Sequence, residues 1–494
     1  MTVAVGKEHT PEQEAPRTPQ RNRSAMRAWH ALKQRHGSAL LARLRLLRLT
    51  ALLLAGALAV LLAVAGLGLS GTWDTVEGRD APRTVSAANL NLALNDMDAQ
   101  VANILLSSGT AGNGKAEVPY RKATDLYAEA RSTASRDLRV LAVAAEGDDE
   151  VERTVASLTE YFARYEELVG RALEEDARAG GKPAAVVHYR AATDLVAGEL
   201  LPRARSLVDT TDRAFESECE ASRARLWAQL AAALVLGVAL LGVLWVLQVY
   251  LARTFHRVIS PALAGATLCT LVTLGAGPLL FASSAEQLRA ARHDAFDSVV
   301  ALSRARALAY DINADESRYL LDRDRRSRYE ADFLEKSRQL FGTEGAGLPA
   351  YRTGLEETWR AYREGRGKRF TGEFRRELDN LTFGGERAAA EKTVDAYVVY
   401  QRDDRTIRSL VARGREQEAV DFGISWDDGK SNAHFGAWMD ALGETTRINR
   451  AAFDAAVRQG HGDFAVLLPT AAGALLLAGA LTVLGLRPRL AEFR

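Results

Sequence analysis

The chain has 494 residues, with 64 Lys and Arg against 63 Asp and Glu, a formal net charge of +1. No nucleic-acid-binding motif is present and the basic cluster abuts an apolar stretch, which speaks against nucleic acid as a partner, and two cysteines exclude a disulfide framework. Hydrophobic residues make up 47% of the chain, and many of them gather in four stretches without a charged residue.

In chain order, residues 1 to about 23 read as a disordered tail, because Pro11, Pro16 and Pro19 among Gln, Glu and Thr build no core. Thr10 and Thr18, the latter before Pro19, are candidate phosphate acceptors but read as ordinary linker threonines. A basic helix is expected from Ser24, with Trp29, Leu32, Leu40, Leu41 and Leu44 as its apolar points, and it runs into the first charge-free stretch. The four stretches are 49–73, 226–252, 258–285 and 464–486. Each exceeds the roughly 20 apolar residues that a helix needs to cross a bilayer. Arg48, Asp74, Arg225, Arg253, Arg257, Glu286, Asp463 and Arg487 mark their edges, so four transmembrane helices are predicted.

Orientation follows the basic residues. Arg21, Arg23, Arg27, Lys33, Arg35, Arg43, Arg45 and Arg48 precede the first span; Arg253 and Arg257 flank the turn after the second; Arg487, Arg489 and Arg494 follow the fourth. Both termini are therefore expected in the cytoplasm, with 74–225 and 286–463 outside a plasma membrane. The tail of about 48 residues before the first span is too long for the charged region of a signal peptide. Its basic residues read as a topology signal alone, with a membrane-surface or partner contact as the alternative.

Residues 74–225 show helical periodicity. Leu90, Leu94, Met97, Val101 and Ile104 recur at three- and four-residue spacing and predict a helix with one buried stripe. The run from Ser107 to Gly114 breaks it. Further helices are predicted over about 119–144 and 150–178, and a fourth starts at Pro183, bends near Pro202 and feeds the second span. Residues 286–463 repeat the plan, with a first helix to about Leu321, shorter helices after it, a long one over 386–413, and a loop or kink at 421–431. Asp96-Met97-Asp98-Ala99 followed by Leu105-Leu106 matches Asp311-Ile312-Asn313-Ala314 followed by Leu320-Leu321, and Tyr120 and Tyr329 recur at similar distances. The expected fold is all-α: four transmembrane helices and two extracytoplasmic antiparallel four-helix bundles that arose by duplication.

No phosphate loop, His-Glu-x-x-His, metal-spaced cysteine pair or Gly-x-Ser-x-Gly elbow is present, so neither an enzyme nor a cofactor or metal is expected. His434 near Asp427 and Asp428 is a weak metal signal and reads as structural. The cytoplasmic pieces are too short to fold as an enzyme, so an effect inside the cell requires a partner. The spans carry Pro261, Gly265, Gly275, Gly277, Pro278, Pro469, Gly473 and Gly479 but no ionisable side chain, which argues against transport.

Asp98 and Asn313 are the candidates for a specific ligand or partner contact. Each is a polar residue placed on an apolar stripe, and a buried polar group needs a hydrogen-bonding partner. Fixing helix register is the alternative role. Asp96 and Asp311, beside Gln100 and Asp315, are expected on polar faces within reach of solvent or a partner.

Outer helical bundles flanked by spans resemble the ligand-sensing regions of bacterial chemoreceptors and nitrate-type sensors. The blocks 93–106 and 309–321 carry the resemblance, with the Leu-Leu-Pro-x-Ala-x-x-Leu segment at 200–207. No output module follows any span. In this the chain is more similar to an actinobacterial four-span adaptor that links a glutamine- or glutamate-binding lipoprotein to a cytoplasmic Ser/Thr kinase of the G type. The resemblance implies an extracytoplasmic solute-binding lipoprotein docked on the bundles and a kinase informed through the cytoplasmic segments, with the amino acid held by the lipoprotein. Against this adaptor stand two alternatives: a direct small-molecule receptor, and a structural or transport-accessory envelope protein. Ligand, kinase identity and homo-oligomerisation stay open at this level.

Overall fold

The computed structural model describes residues 21–108, 117–255, 260–367 and 369–491. Thr10, Thr18, most of the break after Ser107 and the end of the turn after the second span lie outside the described residues. Those described are helical, apart from short connections and an isolated antiparallel bridge between Gly342 and Thr371. Among the described residues fourteen α-helices run in chain order: α1 Arg21–Thr75, α2 Ala81–Ser108, α3 Glu117–Ala144, α4 Asp149–Asp176, α5 Lys182–Leu195, α6 Leu201–Phe255, α7 Pro261–Arg289, α8 Asp297–Leu321, α9 Arg326–Leu340, α10 Leu348–Arg363, α11 Glu373–Asp379, α12 Glu386–Ala412, α13 Glu416–Ile424 and α14 Ser431–Ala491. The protein is an all-α, multi-pass membrane protein, with four helices long and apolar enough to cross a bilayer.

The chain divides into two compact units. The smaller holds the described residues up to Ala63, Leu230–Pro278, and those from Leu468 on. Leu44, Ala51, Ala55, Leu240, Leu244, Leu247, Leu263, Ala266, Ala478 and Leu486 form its interior. Its outer surface is just as apolar: Leu53, Val60, Val235, Trp245, Leu268 and Leu476 are exposed. A face of this kind suits contact with lipid. With no hydrophobic force between helices in lipid, close packing and hydrogen bonds hold them together. A Cβ on Gly237 of α6 would fall 2.3 Å from the Leu274 side chain of α7, so glycine is what lets these helices touch. Gln248 also donates to Thr267 Oγ1 at 3.0 Å between the same two helices.

The larger unit takes Val64–Gln229 from the first half of the chain and Leu279–Leu467 from the second. Helix α4 is amphipathic, burying Val151, Val155, Leu158, Phe162, Tyr165, Val169 and Ala172, and Asp148 caps it by accepting from the Val151 amide at 3.2 Å. Helix α2 departs from the single buried stripe that its spacing predicts. Of its 28 residues 21 are buried, including Asn91, Asn95, Asp98, Gln100 and Asn103. The cause is its place in the core, with α3 on one side and α8 on the other. Helix α8 is equally enclosed, with 18 of 25 residues buried. An aromatic core beside α8 joins Phe333, Phe341, Tyr351, Trp359, Phe374, Tyr397, Tyr400 and Trp438.

Among the described residues three π-turns interrupt the long helices: Val76–Asp80 between α1 and α2, Val196–Leu200 between α5 and α6, and Ala290–Phe296 between α7 and α8. The first two share one sequence pattern, Val-x-Gly-x-x-x-Pro, ending at Pro82 and Pro202. Proline lacks an N–H and its ring crowds the carbonyl four residues back, here that of Gly78 or Gly198. The backbone widens by one residue just before each proline and the helix continues. The second π-turn lies just before Pro202, the position where the sequence predicts a bend. The offset that carries Asp98 onto Asn313 also carries Val76–Asp80 into Ala290–Phe296, so the halves share this feature as well.

Candidate functional site

Buried charge concentrates where the two halves of the larger unit meet. Asp98 of α2 is fully buried, as the sequence indicates. Its Oδ2 accepts from Thr193 Oγ1 of α5 at 2.7 Å and from the Arg318 guanidinium of α8, while its Oδ1 has no hydrogen-bond partner. Arg318 also donates to Asp315 at 2.5 Å and to the Tyr189 hydroxyl at 3.4 Å, and lies 3.6 Å from Asp311. Lys336 of α9 donates to Asp311 at 2.7 Å and to Asp315 at 2.6 Å, and Arg205 of α6 reaches Asp311 at 3.3 Å.

Five elements therefore converge on one cluster of three acids and three bases. Burial opposes ionisation of Arg318, but the carboxylates of Asp98, Asp315 and Asp311 hold it firmly protonated. Burial likewise works against the charge of Lys336, and Asp311 and Asp315 reverse the effect. Asp311 is desolvated too, yet Lys336 and Arg318 keep its carboxyl below the usual range. For Asp315 desolvation wins and raises it.

Asp311 is therefore not the solvent-facing residue that its position beside Asp315 suggests: it is 3% exposed, because α6 and α9 close over that face of α8. Asp96 is half-buried and accepts from Gln100 at 2.8 Å. Burial pushes its carboxyl up to about 7, against Gln100 and Arg306. Asn313 is buried beside the Tyr400 hydroxyl and makes no contact with Asp98. The structure thus brings Asp98 and Asp311 into one cluster and leaves Asp96 and Asn313 outside it.

Arg318, Lys336, Arg205, Asp315, Thr193 and Tyr189 were not among the sequence candidates. The spacing of Asp311, Asp315 and Arg318, at i, i+4 and i+7, is the signal that marks one charged helix face. Next to the cluster lies a cleft of about 250 Å³, lined among others by Thr193, Arg205, Asp311, Arg318, Arg328 and Lys336. Further pairs extend the seam between halves: Arg190 with Asp322 and Asp324, Arg325 with Asp194 at 2.9 Å, Arg304 with Asp209 at 2.8 Å, and Arg292 with Asp212 at 3.0 Å. Ser317 donates to Asn103 at 2.8 Å.

His434 pairs with Asp403, 2.6 Å away, rather than with Asp427 or Asp428. No group of three metal-ligating side chains occurs among the described residues.

The stretch from just before the first π-turn into α6 supplies Asp98, Tyr189, Thr193 and Arg205. Residues 72–220 match the actinobacterial sensor domain. The match supports a sensor-type actinobacterial protein; of the charged cluster it covers Asp98 and Arg205, while Asp311, Asp315, Arg318 and Lys336 lie in the segment that follows the third span. No curated protein and no solved structure matches the chain.

Proposed function

We propose that this protein is a signalling adaptor of the plasma membrane, with both termini in the cytoplasm, which relays an extracytoplasmic amino-acid signal to a cytoplasmic Ser/Thr kinase. A solute-binding lipoprotein docks on the larger unit, and the chain itself does no chemistry. One observation carries the reading. All four apolar spans belong to helical stretches that carry on into the larger unit: the first three over Ala42–Ser108, Lys182–Arg253 and Pro261–Leu321, each through one π-turn, and the fourth within α14. The first and third end as α2 and α8, which Asp98 and Arg318 tie together. A change in how α2, α6 and α8 pack has a direct route along these helices, provided the docked partner binds two packings with different affinity. The sensor-domain match over 72–220 and the basic residues at the span ends support this reading.

In-cell crosslinking of the tagged full-length protein, followed by mass spectrometry, tests it. Joint recovery of a solute-binding lipoprotein and a Ser/Thr kinase is the expected result; recovery of the protein alone would overturn the adaptor. The polar cleft beside Arg205 and Lys336 favours a second reading, in which the sensor domain takes a small molecule directly.

A further inference from the structure

The cleft is a built feature. Its floor is the buried pair Asp311 and Arg318, and Tyr329, 3% exposed, lines it as well. One wall is apolar, from Val196 and Ala197 of the second π-turn and Leu201 of α6. Its volume of about 250 Å³ is far above the roughly 10–15 Å³ that a single water requires.

The charges around it are unequally used. Asp311 already faces Lys336, Arg318 and Arg205, and Asp194 is taken by Arg325 and Arg328. Arg318 spends its guanidinium on Asp98, Asp315 and Tyr189. The remaining cations keep free donors. A guanidinium has five N–H groups and an ammonium three. Arg205 has its one ion pair at 3.3 Å, Arg328 has one at 3.1 Å to Asp194 and a long one of 3.7 Å to Asp332, and Lys336 uses two of its three donors. Arg205 and Arg328 are about half exposed at the mouth. Donors in excess over acceptors suit an anion, planar forks suit a carboxylate or a phosphate, and the apolar wall suits carbon.

We propose that this cleft binds a small organic carboxylate, held by Arg205, Arg328 and Lys336 with its carbon skeleton against Val196 and Leu201. The assignment rests on the sensing reading and gives the sensor its own ligand chemistry. A carboxylate between Arg205 on α6 and Arg328 and Lys336 on α9 competes with Asp311 for Arg205. It thereby links the helix that leads into the second span to α9, which packs on α8, the helix leading from the third.

The test is calorimetric titration of the full-length protein, in nanodiscs of zwitterionic lipid, with acetate, succinate, benzoate and inorganic phosphate. At least one carboxylate is expected to bind, phosphate more weakly. Arg205→Gln and Arg328→Gln, both half-exposed, each weaken that binding about tenfold or more. Arg171→Gln, on the exposed face of α4, leaves it unchanged. Silence with all three carboxylates, equal affinity in Arg205→Gln, Arg328→Gln and the parent, or preference for phosphate would overturn the assignment. Crosslinking separates the two readings: a silent cleft with lipoprotein and kinase still recovered removes the carboxylate site and keeps the sensing role. Arginine-dependent binding with neither partner recovered keeps the site and removes the relay.

Discussion

Arg318 of α8 and Asp98 of α2, 220 positions apart in the chain, form an ion pair in which both side chains are at least nine-tenths buried. It joins the two halves of the larger unit at the level of the polar cleft. Removing one member of a buried pair strands the other, which typically costs about 3–5 kcal/mol. Arg318→Met should lower stability by about that amount in denaturant unfolding of the detergent-solubilised protein. The double variant Asp98→Asn, Arg318→Met should lose less than the sum of the singles by about 1–3 kcal/mol. Additive losses would show that the pair is not coupled.

A pH dependence follows from Asp96. Its carboxyl sits at about 7 in the folded protein, against 3.8 ordinarily. Between those values the folded state binds more protons than the unfolded one, so Asp96 makes stability fall as pH rises from about 4 to about 7 and adds no slope above that. Asp96→Asn removes this contribution. The variant and the parent should be alike near pH 4, and above pH 7 the variant should be more stable by about 1–2 kcal/mol. Parallel pH profiles from thermal unfolding would contradict this.

Two neighbouring glycines of α14 should respond oppositely to alanine. A Cβ on Gly460 would fall 2.4 Å from the Trp73 indole, which is fully buried, whereas nothing lies within 4 Å of one on Gly462. Gly460→Ala should destabilise by about 1–3 kcal/mol through overpacking. Gly462→Ala should be neutral or stabilising by up to about 1 kcal/mol through helix propensity. Melting temperatures of the two variants, measured side by side, decide it.

Cys219 of α6 is 3% exposed, and burial pushes its thiol up to about 12. Both access and thiolate are then lacking at neutral pH. N-ethylmaleimide should leave Cys219 unmodified in the folded protein and label it once the larger unit is denatured, as read by peptide mass. Rapid labelling under native conditions would place this part of α6 at the surface.

The helical character of the chain, its four apolar spans and the burial of Asp98 were legible in the sequence, because each rests on local spacing and polarity. The partners of Asp98 were not. Arg318 lies beyond two spans, and nothing local tells a buried guanidinium from a solvated one on a helix that also carries Arg304, Arg306 and Asp315. The same gap misplaced Asp311, whose polar neighbours suggest water but are met by Lys336 and Arg205. Helix α2 misled in another way. Its leucines outline a stripe, while the small and polar residues between them, such as Ala99, Ala102 and Asn95, are what allow other helices to close on its remaining sides.

The widened turns ending at Asp80 and Leu200 bear on how span and core segments of one helix can each meet their own neighbours. An unbroken α-helix fixes the angular setting of every side chain from one end to the other, so a face chosen for lipid dictates the face offered to protein tens of residues on. One extra residue in a turn resets that angle by about a quarter of a rotation. The segments on either side of Val-x-Gly-x-x-x-Pro can thus hold independent phases, and a single-residue deletion there is absorbed by tightening one turn rather than by unthreading either packing surface.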